Sequence, residues 1–96
     1  MLGKIKLVPF EDMIIKDGRL PQNLASAWAA VQALKGAEYY PLLYGGEQVV
    51  KGLNHWFVAG VTRTTNPISR AVITIAVNEF QGEFKPVHGS DMTIFE

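Results

Sequence analysis

The chain has 96 residues, 48% of them hydrophobic and 19% charged, which fits one globular domain over 1–96 and excludes a disordered or fibrous chain. Nine basic residues balance nine acidic ones, so the net charge is zero and the basic excess of a nucleic-acid binder or a polybasic membrane anchor is missing. With no cysteine, disulfides, a thiol nucleophile and a Cys-ligated zinc site are all ruled out.

In chain order, Met1 to Lys6 lacks the apolar run of a signal peptide, and no stretch is long enough for a membrane helix. The cytosol and secretion without disulfides both fit this composition. Lys4 to Val8 alternates, with Ile5 and Leu7 on one side, and reads as a short strand closed by Pro9. Glu11 to Leu20 is mixed, and Asp17-Gly18 marks a turn. Pro21 to Lys35 reads as one helix. Proline suits the first turn, Leu24, Trp28 and Val31 recur at helical spacing, alanines fill the gaps, and Gly36 suits the end.

Everything beyond the helix reads as strand. Tyr39 to Tyr44 is aromatic and apolar, and Gly45-Gly46 breaks or bulges it. Leu53 to Val61 follows, then a polar connection over Thr62 to Ser69. Next come Ala71 to Val77 and a turn at Gln81-Gly82 between Phe80 and Phe84. Met92 to Phe95 is a candidate last strand. Consecutive strands with short loops imply an antiparallel sheet. The expected fold class is α+β: one helix packed across a four- to five-stranded antiparallel sheet, burying Leu24, Trp28 and Val31.

Between two of these strands lies Gln48-Val49-Val50-Lys51-Gly52. It resembles the Gln-x-Val-x-Gly signature of the cystatins, inhibitors of papain-type cysteine proteases. In that family the motif forms the first hairpin loop after the single helix, which is its place here. Leu53-Asn54-His55-Trp56-Phe57 resembles the family's continuation, and Leu2-Gly3 resembles its N-terminal glycine element. The family's second loop is commonly Pro-Trp or Leu-Pro. Here Glu79-Phe80-Gln81-Gly82 stands in its place, with Phe80 where the tryptophan belongs and no proline. The missing cysteines make the chain more similar to stefins and plant cystatins than to the secreted, disulfide-bonded class.

The resemblance implies a cystatin-like fold and a reversible, tight-binding inhibitor that is not an enzyme and needs no cofactor or metal. Leu2, Gly3, Gln48, Val49, Val50, Lys51, Gly52, Glu79 and Phe80 would enter the protease cleft. The valines are stiff and lose little entropy on docking. Gly52 permits positive φ or close backbone approach. Gln48 offers an amide for hydrogen bonding, and Phe80 an aromatic anchor. The expected state is a monomer, with a domain-swapped dimer through the first loop as an alternative. The competing reading is a cystatin-fold binding or assembly module without inhibitory activity, pairing through edge strands and Tyr39, Tyr40 and Tyr44.

Other chemistry has little support. Trp28 reads as helix core, Trp56 as a packer on the sheet face, and His55 as a packed or surface strand residue. His88-Gly89-Ser90-Asp91 gathers triad residue types, but neighbours in sequence rarely meet in triad geometry. Two histidines without spaced carboxylates do not make a metal site.

Overall fold

The computed structural model describes residues 4–64 and 66–91. The candidate strand over Met92 to Phe95 therefore lies outside the described residues, as do Leu2 and Gly3. Five strands form one antiparallel sheet in the order β1-β2-β3-β4-β5: β1 (Ile5–Leu7), β2 (Ala37–Val50), β3 (Gly52–Arg63), β4 (Ser69–Phe80) and β5 (Glu83–Asp91). Between β1 and β2 come a single helical turn, α1 (Phe10–Met13), a 3-10 turn at Lys16–Gly18, and the main helix, α2 (Gln22–Gln32). The α+β reading, with one principal helix on an antiparallel sheet, holds.

α2 forms where the apolar period demands it. Leu24, Ala27, Trp28 and Val31 make one buried stripe, and Pro21, fixed near the right φ, supplies the carbonyl that Leu24 N–H bonds at 2.9 Å. The helix stops earlier than Lys35. Ala33 caps it and Leu34 N–H tightens back onto the Val31 carbonyl at 3.0 Å. Gly36 then turns the chain into β2 at φ +92°.

The helix stripe meets Phe57, Ala59 and Val61 of β3 and Ile73, Ile75 and Val77 of β4 in one core. Trp28 packs edge-on against Phe57, ring centroids 5.5 Å apart, and Tyr44 lies 5.3 Å from the same ring. Burying Trp28, Phe57 and Val31 contributes on the order of 2–3 kcal/mol each.

Two features were legible in the sequence only in part: β1 was expected but not its exposure on both sides, and Gly45-Gly46 marked one of two bulges in β2. β1 buries neither side, because as an edge strand it only pairs with β2; Leu7 is 61% exposed. β2 carries two register shifts, between Pro41/Leu43 and Tyr44/Gly46. Each inserts a residue, so Pro41, Tyr44 and Glu47 pair with Ala59, Phe57 and His55 and share the helix-facing side. The shifts also put Gln48 on the opposite face, across from Asn54.

Candidate functional site

Two hairpins stand side by side at one end of the sheet. The first joins β2 to β3, with Val50 paired to Gly52 and Lys51 at the apex. The second joins β4 to β5, with Phe80 paired to Glu83 across Gln81 and Gly82. Gln81 and Gly82 both take positive φ, 53° and 79°, the two-residue turn whose twist matches a hairpin. Leu53 pairs with Glu79, so both turns emerge at the same end. β1 is antiparallel to β2, and Ile5 pairs with Gln48. Followed toward lower numbers, the described chain thus heads to that end too.

Glycine sets the closeness of these parts. Gly52 has φ +85°, and a Cβ there would collide with the Glu79 carbonyl oxygen and sit 3.0 Å from the Phe80 Cβ. Gly46 has φ +147°, and a Cβ there would run into the Lys6 carbonyl. One glycine lets the two hairpins touch, and the other lets β1 lie against β2. Above the Gly52 contact, Lys51 Nζ sits 5.4 Å from the centre of the Phe80 ring, a cation–π contact across the two hairpins. Val49 projects outward at 66% exposed, and Phe80 is 37% exposed.

Behind the apex, both faces of the sheet are hydrogen-bonded. On the helix-facing side, buried His55 donates from Nε2 to Glu79 Oε1 at 2.8 Å and accepts the Tyr44 hydroxyl on Nδ1 at 3.2 Å. Burial, and then the Glu47 and Glu79 carboxylates, push the Tyr44 hydroxyl up to about 12 and keep it a donor. On the opposite face, Asn78 Nδ2 donates to the Lys51 carbonyl at 3.1 Å and to Asn54 Oδ1 at 3.0 Å. Asn54 Nδ2 reaches Gln48 Oε1 at 3.5 Å, and the Trp56 indole donates to the same oxygen at 3.0 Å.

Of the residues expected at the site, Gln48, Val49, Val50, Lys51, Gly52, Glu79 and Phe80 come together. Gln48 and Glu79 turn their polar groups inward, to Asn54 and Trp56 and to His55 respectively. Trp56 packs on the sheet face as expected, and His55 is packed rather than on the surface. Sequence reasoning missed Asn78 altogether; only its register opposite Asn54 reveals it.

The site projects. Grooves lined by described residues lie elsewhere, such as one of about 380 Å³ lined by Ile15, Arg19, Leu24 and Tyr44. Among the described residues no group of three His, Cys, Asp or Glu side chains could hold a metal, and no helix is long and apolar enough to cross a membrane. No family model, curated protein or solved structure matches this chain.

Proposed function

We propose that this chain is a cystatin-like, reversible inhibitor of papain-type cysteine proteases that occludes the active-site cleft with two hairpins and the N-terminal segment. The observation that carries the reading is the pair of adjacent hairpins. The Gln48–Gly52 turn touches the Phe80 turn through a glycine that admits no side chain, at the end where β1 begins.

A papain-type cleft is a narrow groove with apolar walls. Val49, stiff and exposed, and the aromatic edge of Phe80 suit such walls. A substrate enters extended and is cut. A hairpin apex whose strands are already paired keeps its carbonyls out of the attack geometry. Gln48, Lys51, Gly52 and Glu79 then shape the wedge, with Leu2 and Gly3 as the third contact. A cleft filled this way buries roughly 800 Å² on each partner.

The test is residual papain activity against increasing chain. Inhibition with no covalent adduct is expected, and Val49→Asp, which puts a charge into an apolar groove, weakens it at least about a hundredfold. Because Val49 is exposed, that variant keeps the parent's thermal midpoint. Undiminished activity of papain and cathepsin-type enzymes at roughly micromolar chain refutes the reading.

One observation favours a second reading, a cystatin-fold assembly module. Leu7, Phe10 and Ile14 are exposed along the β1 edge at 61%, 78% and 61%. Exposed apolar groups beside an edge strand suit pairing with another chain. A stable dimer in gel filtration together with no inhibition would select it.

A further inference from the structure

We propose that Asn78 is a positioning residue that holds the first hairpin in its docking shape, through an amide ladder running Asn78–Asn54–Gln48 across three strands. This rests on the inhibitor reading for its consequence, but not for its geometry.

Asn78 is the one side chain from the second hairpin's strand that reaches the backbone of the first hairpin's apex in the bonds described. Its amide has two N–H groups. One goes to the Lys51 carbonyl at 3.1 Å, the other to Asn54 Oδ1 at 3.0 Å. Asn54 is 4% exposed, so its amide depends on protein partners, and it passes its own donor on to Gln48 Oε1. Gln48 ends the ladder as an acceptor shared with the Trp56 indole. The direction is uniform: donors run from β4 through β3 to β2. Reversing Asn78 would set oxygen against oxygen, and reversing Gln48 would set donor against donor.

Apart from the Gly52 approach to Glu79 and the Lys51–Phe80 contact, little else fixes the apex. Lys51 is exposed, and its neighbour Val49 buries little. A single-residue apex free to rock would populate the docking shape only part of the time, and apparent affinity falls by that fraction. The ladder stops the rocking from behind, leaving the outward face free for a partner. Gln48 therefore acts by anchoring the turn rather than by touching the protease.

Asn78→Asp is isosteric and removes both donors, turning carboxylate oxygens toward the Lys51 carbonyl and Asn54 Oδ1. In the full chain, amide hydrogen exchange in the paired strand ends that flank the apex, Val49 to Val50 and Gly52 to Leu53, should quicken by about tenfold or more, with Val61 and Ile73 in the core unchanged. Association with papain should slow by about the same factor. Unchanged exchange in those strand ends overturns the proposal, and so does faster exchange with inhibition unaltered. A parent chain that inhibits nothing defeats the inhibitor reading, while the exchange measurement still decides the ladder. If Asn78→Asp does not fold, Asn78→Ala, which removes both donors without adding a charge, serves instead. Quicker exchange confined to the first hairpin supports the ladder, and exchange equal to the parent's refutes it.

Discussion

Gly52→Ala and Gly82→Ala form a matched pair that isolates the contact between the hairpins. Both glycines have positive φ, +85° and +79°, so alanine strains the backbone at either. That strain costs about 1 kcal/mol. They differ in surroundings. A Cβ at Gly82 meets nothing within 4 Å, whereas one at Gly52 strikes the Glu79 carbonyl and crowds the Phe80 Cβ. The obstacle is strand backbone, which cannot rotate away as a side-chain tip would, so the hairpins must part. Overpacking of this kind costs a further 1–3 kcal/mol or so. Gly52→Ala should therefore lose about 2–4 kcal/mol and Gly82→Ala about 1. For a domain of this length each kcal/mol lowers the thermal midpoint by roughly 4–8 °C, so a difference of about 1–3 kcal/mol separates the two variants by roughly 4–24 °C. Urea unfolding followed by circular dichroism reads the difference. Equal losses in the two variants would refute the claim that Gly52 is required by close approach rather than by φ alone.

Two further outcomes follow from the geometry. Gly46→Ala collides with the Lys6 carbonyl and should release β1 while the rest of the sheet stays paired; limited proteolysis then cuts near residues 4–8 much faster than in the parent, with the core intact. Tyr44 gives a pH dependence. Its folded-state pKa lies above the ordinary 10.0, at about 12, so its stabilising contribution is fully present below pH 10 and is lost as pH climbs from there toward 12. The full shift corresponds to roughly 3 kcal/mol. Because the hydroxyl lies at the polar edge of the core, beside half-exposed Glu79, on the order of 1–2 kcal/mol is the expected loss. Tyr44→Phe should remove this alkaline slope in urea midpoints measured across that range.

The helix was legible because burial imposes a period: Leu24, Trp28 and Val31 could share a face only on a helix. The hairpins were legible because turn chemistry is local, at Gly52 and at Gln81-Gly82. α1 was not legible. Its Phe10 is 78% exposed, so no core registers its presence in the pattern. The amide ladder was illegible for another reason. Gln48, Asn54 and Asn78 become neighbours only through strand register, and the shift between Tyr44 and Gly46 decides which face Gln48 takes. Gly45-Gly46 hinted at a bulge, but nothing local says which side chains it realigns.

The same register explains how an end of the sheet beyond the apolar core stays stiff. On the helix-facing side of β3, the apolar run Val61, Ala59, Phe57 ends at His55, where Tyr44 and Glu79 take over. On the other face Asn54 stands between Gln48 and Asn78. Past that point burial contributes less, although Phe84 opposite Glu79 still packs against the core. Directional bonds supplement it, each worth about 1 kcal/mol net but costly to break when the group left behind is buried. Apolar side chains at the apex are thereby spared a structural duty. Val49 can face outward because Asn54, Asn78 and His55 hold the turn from behind. Stability of the domain and shape of the hairpin end thus draw on largely different residues, with Gly52 and Tyr44 belonging to both.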